Sequence, residues 1–476
     1  MRKSGSSATI GPLRRMLATN RAGDSAPDAI DEARTPFEAD VDRLAFDGHM
    51  RLLGDKTQVH RAGEGTTARS RLSHSLEVSR VGRSIGAGFV RGTDEAAADS
   101  RLSADVQDVL QAAGLLHDIG NTPFGHMGEH ALSAFFATHP IGRAALTNTT
   151  AADAWEFTHF DGNAQGMRHA TRVGGWHPEH GLRLTAATAC ASAKYPWTGS
   201  ARTTKRSIFA SGAAAYGRAA ALCGVAALGA TSWRRHPLSY LCEAADDITY
   251  SIVDLEDAAM LGIIGYDEAE TLMLQVTGAT KTPALDGLAR QQPGRRVAYL
   301  RSQAISALVA EAAQAARDNR DAIMAGELGT RLTMAMPSAS ALSDIGTFSE
   351  RRIYPGADSR AVASASWAIG VVAAHAANRW MSGTLPRTVA GPTGAAHAIC
   401  DLVAGLTDGS CIALATAINS TGSASSSSSS KPDHFEPAET PAAAGAKGGV
   451  RGGSQARPTF EQFDAIIMQA PQQRRA

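Results

Sequence analysis

Apolar residues recur at helical spacing through most of the chain. Between Asp105 and Leu116, the positions Val106, Val109, Leu110, Ala113 and Leu116 fall on one stripe, at the three-to-four-residue spacing of a helix face. Leu238–Leu255 repeats the pattern. Strand-like alternation is scarce and aromatic residues make up 5% of the chain, so sheet formation has little support. The pattern predicts successive helices with short loops from Phe37 to about Met260, and a mainly α fold. Residues 261–415 stay alanine-rich and helical in pattern. The chain divides into 1–34, a disordered or targeting segment; 35–260, which carries the chemistry; 261–415, a helical extension; and 416–476, a low-complexity tail. The tail holds the serine run 425–430 and too little apolar surface to fold alone. Within it, Phe460, Phe463 and Ile467 keep a helical spacing by which 459–468 could dock on the body.

Charge sharpens this picture locally. Two uncharged stretches, 219–233 and 361–378, read as packed helices. The first is too short to span a bilayer, and the second carries His375 and Asn378. No membrane partner is expected. Formal net charge is zero, so nothing global indicates a single-stranded nucleic acid as partner. Between Glu179 and Glu243 there is no acid, while Arg183, Lys194, Arg202, Lys205, Arg206, Arg218, Arg234 and Arg235 all fall there. That set suits a polyanion such as a triphosphate, or equally a solvated basic face. The five cysteines include no CxxC pair, which fits a reducing compartment and a cytoplasmic protein. The first 23 residues hold Arg2, Lys3, Arg14, Arg15 and Arg21 and no acid. This composition suits a disordered terminus, and also an organellar import segment.

Candidate chemistry starts at His117-Asp118. The pair ends a predicted helix, and Gly120 and Pro123 turn the chain directly after it. Any one of the fifteen histidines is more readily a surface or capping residue, so the argument rests on a set. His74 falls at the start of an earlier helix and Asp246 at the opening of a later one. Two imidazoles and two carboxylates from three helices make a mixed N/O ligand set. It suits Mn, Fe, Co, Ni or Zn, and Mg when a phosphate helps. His126 and Glu129 lie three apart and share a helix face. A carboxylate beside an imidazole orients it and holds its proton. Asp246, Tyr250 and Asp254 are spaced i, i+4, i+8 and drift about 40° per step. They line one stripe: a ligand, a phenol able to stack on a sugar, and an acceptor for a sugar hydroxyl. By the same geometry Asp247 and Asp257 face solvent.

With these residues on the page, the chain resembles the dGTP triphosphohydrolases of the HD superfamily. The matching segments are DKTQV at 55–59, RSRLSHSLEVSRVGR at 69–83, LLHDIGNTPFGHMGEHAL at 115–132 and FDGNAQGMR at 160–168. KYPW at 194–197, HPLSYLCEAADDITYSIVDLEDA at 236–258 and DLVAGLTD at 401–408 follow in family order. The resemblance implies an all-α fold, an HD-domain helical core with a C-terminal helical extension. It implies hydrolysis of a dNTP, dGTP first, to deoxynucleoside and tripolyphosphate with a divalent metal ion such as Mg or Mn, and a homo-oligomer. It assigns metal binding to His74, His117, Asp118 and Asp246, and catalysis to His126 with Glu129. It places Arg71 and Lys205 at the phosphates and Tyr250 and Asp254 at the deoxyribose. Asn121, Asn163 and Gln165 complete the substrate-binding candidates, the last two within a segment behind His126. Glu129 is expected to favour the protonated ring of His126 and raise its pKa.

Three departures stand out. Gly54 occupies a place where the family often has Gln. The stretch between Lys205 and Trp233 is Ala/Gly-rich where an acidic amphipathic helix is usual. Leu402 replaces a common aromatic. A rival reading is another HD phosphohydrolase, a 5′-nucleotidase or a cyclic-nucleotide phosphodiesterase. It would share the metal set but lack the KTQV, GNAQ and AADDI-Y segments. A catalytically silent nucleotide sensor would not need His126 and Glu129 intact beside the ligands.

Overall fold

Capping residues and apolar stripes set the helices. In the computed structural model, residues 11–21, 33–59, 68–174, 181–199, 204–278, 292–354, 359–385 and 391–425 are described. The principal helices are α1 (Pro12–Met16), α2 (Pro36–Ala45), α3 (Arg71–Val90), α4 (Leu102–Leu116), α5 (His126–Thr138), α6 (Gly162–Arg168) and α7 (Ala213–Leu222). They continue as α8 (Pro237–Met260), α9 (Tyr266–Thr277), α10 (Pro293–Asp318), α11 (Ala339–Arg352), α12 (Ser359–Met381), α13 (Gly394–Ala404) and α14 (Asp408–Ser425). Thr35 and Ser70 close reciprocal caps at the starts of α2 and α3, which satisfies N–H groups that a helix start leaves without partners.

The stripes close two main cores. In the first, α3 lies against α4, α8 and α10, and buries Val78, Ile85, Val106, Leu110, Ile248, Ile252, Leu300 and Leu308. In the second, α5 packs on α12, which in turn packs on α13 and α14, with Leu132, Phe136, Ile369, Val372, Ile399 and Leu414 inside. The fold is all-α, as expected; the strands among the described residues are one short antiparallel pair, β1 (Ala227–Gly229) and β2 (Ser232–Trp233). Residue 260 does not divide the cores, because α9 and α10 belong to the first and α12–α14 to the second. Helix α12 is long and apolar enough to cross a membrane, and its buried stripe packs on the second core.

Four sequence expectations change. The stretch 219–233 is not one helix: α7 ends at Leu222, Gly224 takes φ +66°, and the β1–β2 pair follows. Helix α8 opens at Pro237 behind the capping side chain of His236, so Asp246 sits mid-helix. Helix α14 carries the fold past residue 416 to Ser425; the segment 459–468 lies outside the described residues. Within the segment 1–34, residues 11–21 are an ordered part of the first core rather than a loose terminus. Leu13 and Leu17 are buried there, and His236 Nε2 donates to Met16 O at 3.1 Å. The Arg21 guanidinium meets Asp40 at 2.6 Å with both side chains buried, while the other Asp40 oxygen accepts from the backbone and hydroxyl of Thr185.

Removing one partner of a buried ion pair leaves the other charge without compensation. Arg21→Ala should therefore cost roughly 3–5 kcal/mol of unfolding free energy, measured as a lower midpoint in urea. An unchanged midpoint would show that 11–21 does not dock in solution.

Candidate metal centre and nucleotide cleft

Three helices of the first core bring the ligand candidates together. The first turn of α3 presents Arg71 and His74, the end of α4 presents His117, and the middle of α8 presents Asp246. One ligand atom each from His74, His117 and Asp246 lie within 4.8 Å of one another. Asp246 Oδ1 is 3.2 Å from His74 Nε2 and 3.6 Å from His117 Nε2. The Nδ1 of His117 faces Gly114 O at 2.7 Å. A carbonyl only accepts, so Nδ1 carries the proton and the lone pair lies on Nε2. That Nε2 is buried without a hydrogen-bond partner among the described residues. An unpartnered buried acceptor beside a carboxylate and a second imidazole fits a cation. Asp118 stands at the edge of the trio, its Oδ1 3.7 Å from His117 Nε2. Asn121 Nδ2 and Arg71 Nη1 hold its two oxygens at 2.5 and 2.9 Å.

Burial alone would push the Asp246 carboxyl up. The hydrogen bond from His74 and the nearby His117 and Lys194 outweigh it and hold the carboxyl well below the usual range. Lys194, one of the cations of the acid-free stretch, lies 3.5–3.9 Å from carboxylates of Glu243, Asp246 and Asp247. It balances an acidic face behind the ligand. Asp247 also meets the Thr333 hydroxyl, and Asp257 accepts from Arg69, so neither is the open solvent acid expected from helix geometry. The acid-free stretch is likewise no continuous basic face. Arg206 is buried against Glu156 O, Arg234 pairs with Glu327, and Arg235 pairs with Glu243. The neutralising acids come from elsewhere in the chain.

His126 opens α5 at the exposed mouth of this region. The turn before it is strained: Phe124 has φ 63° and Gly125 φ 55°. Phe124 N is anchored on Asp408 Oδ1 at 2.8 Å. A Cβ at Gly125 would come within 2.6 Å of Arg71 Nη2, so glycine lets the guanidinium sit under the turn. Loss of hydration on the inner side of the ring lowers the His126 pKa; Arg71 and Lys205 add to this and Glu129 and Asp118 oppose it. The expected upward shift is therefore reversed. Glu129 Oε1 is occupied by Gly162 N at 2.8 Å, so it acts on the imidazole through space.

The remaining candidates are placed unevenly. Lys205 is exposed and acts on His126. Asn121 binds Asp118, and Asn163 binds Asp161. Gln165 is 2% exposed and donates to Asp401 at 2.8 Å, which puts it in the framework behind the cleft. Tyr250 is half-buried, its ring 6.4 Å from that of His74. Asp254 is 3% exposed and accepts from the Tyr354 hydroxyl at 2.9 Å. Tyr354 lies a hundred residues away, in sequence with no motif to single it out.

Burial pushes the Asp254 carboxyl up to about 7 from 3.8. The folded state thus holds a proton that the unfolded chain releases between those values. Its contribution to stability is full below pH 3.8 and is lost as pH rises through about 7. Asp254→Asn should remove that part of the pH slope, measured by denaturant unfolding across the window; an unchanged slope would count against the burial argument.

Comparison with known proteins agrees with this geometry. Residues 71–157 match the HD domain family model, the span that carries His74, His117, Asp118 and His126. A deoxyguanosinetriphosphate triphosphohydrolase-like protein of Pseudomonas aeruginosa is 37% identical over 328 residues, 67% of this chain and 74% of the relative. One from Synechocystis is 35% identical over 361 residues, 71% and 79% of the two chains. A deoxyguanosinetriphosphate triphosphohydrolase of Yersinia enterocolitica is 30% identical over 358 residues, 65% and 69% of the two chains. An HD-domain match over the helices that carry His74 and His117, with relatives of one description aligned along most of their length, makes this chain a member of the dGTP triphosphohydrolase family of HD-domain phosphohydrolases.

Proposed function

We propose that this phosphohydrolase cleaves deoxynucleoside triphosphates, dGTP first among them, to deoxynucleoside and tripolyphosphate. The observation that carries the reading is the convergence of His74, His117 and Asp246 around the unpartnered His117 Nε2, with His126 beside Arg71. His74, His117, Asp246 and Asp118 would hold a divalent ion, Mg or Mn by family resemblance, and Fe, Co, Ni or Zn by ligand type. When bound, such an ion polarises a phosphate oxygen and acidifies a water.

The chain's own groups supply the rest. Arg71 keeps a buried Nε without a hydrogen-bond partner among the described residues and, with Lys205, offers positive charge to the phosphates. Water attacks the α-phosphorus, the bond to O5′ breaks, and its electron pair leaves on O5′. The proton given up by water and the proton gained by O5′ balance, and His126 is placed to carry the transfer. Tyr250, one turn beyond Asp246, presses on the deoxyribose. A 2′-hydroxyl left unpaired there would cost about 1–3 kcal/mol, so dGTP should be turned over roughly tenfold to a hundredfold better than GTP.

Product analysis with each dNTP and Mn or Mg tests the class: tripolyphosphate is expected, and pyrophosphate or orthophosphate as first product would transfer the chain to another HD activity. Replacing His117 and Asp118 with Ala together should abolish metal binding and turnover. His126→Ala should retain metal while losing about 10²–10⁴ in rate; an emptied metal site would make His126 a ligand instead.

The lowered His126 pKa adds a pH signature. In the free enzyme the ring is neutral down to below its ordinary value, so the acid limb of kcat/KM should lie under pH 6.5. Bound triphosphate, being negative, stabilises the imidazolium, so the acid limb of kcat should lie higher. Coincident limbs in the two profiles would argue that another group carries the proton.

A further inference from the structure

A second cluster of ligating side chains lies outside the cleft. Asp47, His49 and His169 each offer one ligand atom, all within 4.8 Å of one another, and none is shared with the first trio. Asp47 caps the short helix Gly48–Leu52 and accepts from His49 N at 2.8 Å. The same oxygen lies 3.0 Å from His169 Nε2 and 3.9 Å from His49 Nδ1. Asp47 and His169 are buried and His49 half-buried. Three atoms so spaced surround a point no more than about 2.8 Å from each, so shifts below about an ångström reach the 2.0–2.2 Å of zinc–nitrogen and zinc–carboxylate bonds.

The backbone keeps this point open. His169 starts a π-helical turn, His169–Val173, that interrupts the regular path after α6; such turns concentrate at functional sites. The turn closes on Gly174, whose N donates to His169 O. A Cβ at 174 would stand 2.5 Å from His169 Nε2, where any other residue would crowd the ligand atom. Two cations lie near the cluster: Lys56, whose charge acts on His49, and Arg168, which is already paired with Asp401.

We propose that Asp47, His49 and His169 form a second metal site, for a divalent transition ion such as zinc. Two imidazole nitrogens and one carboxylate oxygen leave a fourth position for water. Binding releases the Nε2 proton of His169 to solvent and draws the His49 ring off the tilted contact it makes with His169, where the ring centroids are 3.7 Å apart. The ion ties the residue 47–49 turn to the end of α6, next to the Asp401 contact, so its role is to brace the wall behind the cleft.

The test uses the full chain stripped with a chelator. Zinc retained per chain is counted after gel filtration, and cobalt binding is followed by visible absorption. His49→Ala and His169→Gln should each retain one ion fewer than the unmodified chain, with the helical circular dichroism unchanged. The His117→Ala, Asp118→Ala double variant should still bind zinc and gain thermal stability from it, and adding His49→Ala should remove both effects. Loss of the first site alone would leave the His49-dependent ion in place, so the two readings fail separately. Zinc counts unaltered by His49→Ala and His169→Gln, or no zinc on the double variant, would reduce the trio to a hydrogen-bonded pair with a neighbouring ring.

Discussion

Lys56 is almost wholly buried, at 1% exposure, and its side-chain nitrogen donates to two backbone carbonyls. One belongs to Asn121, in the turn after His117-Asp118, at 2.6 Å; the other belongs to Ala404, at the end of α13, at 2.7 Å. Asp408 acts at the same junction, accepting from Thr57 and from the strained Phe124. Burial with Arg71 nearby drives the Lys56 pKa down to about 7. Removing a charge from water is costly unless its donors are satisfied, so the amine is stable there only while both carbonyls are in place. Three stretches far apart in sequence are thereby held at one point, and that point is the floor of the turn leading to His126.

This junction couples two cores with different duties. The ligand trio stands on α3, α4 and α8, all in the first core. His126 and Glu129 stand on α5, which packs in the second core with α12–α14. The chain between Asp118 and His126 bridges them, and Lys56 and Asp408 set its path. In this arrangement the candidate ligands keep their mutual geometry from one core alone. The distance from them to His126 depends on how the C-terminal helices dock, and the DLVAGLTD segment of the extension supplies Asp408, which anchors the turn before His126.

Electrostatics near the cleft follows burial more than pairing by sequence. His126 and Glu129 share a helix face, yet desolvation with Arg71 and Lys205 lowers the imidazole pKa where the carboxylate alone would raise it. Lys194 and Asp246 lie fifty-two positions apart and meet at 3.8 Å. Within the basic segment that suits a triphosphate, Lys194 and Arg235 meet Glu243 of α8, Arg234 meets Glu327, and Arg206 donates to the Glu156 backbone carbonyl.

Much of the fold and of the ligand set was legible in the chain because those signals are local. A helical stripe repeats within a few residues, a Ser or Thr cap sits beside the helix it starts, and His117-Asp118 is followed at once by its turn. His74, His117 and Asp246 could be named because each lies in a dense motif, and the stripe from Leu238 to Leu255 already extends α8 before Asp246. What only the tertiary structure decided is which groups lose water and which distant partner they meet. Residues 11–21 dock because Arg21 finds Asp40 under the first core. Asp254 is turned from an open acceptor into the partner of Tyr354, and Gln165 into the partner of Asp401. The Asp47–His49–His169 cluster exists because a wide turn after α6 returns His169 to a capping aspartate over a hundred residues earlier. Local patterning carries helix and turn; desolvation and long-range pairing depend on the packed chain as a whole.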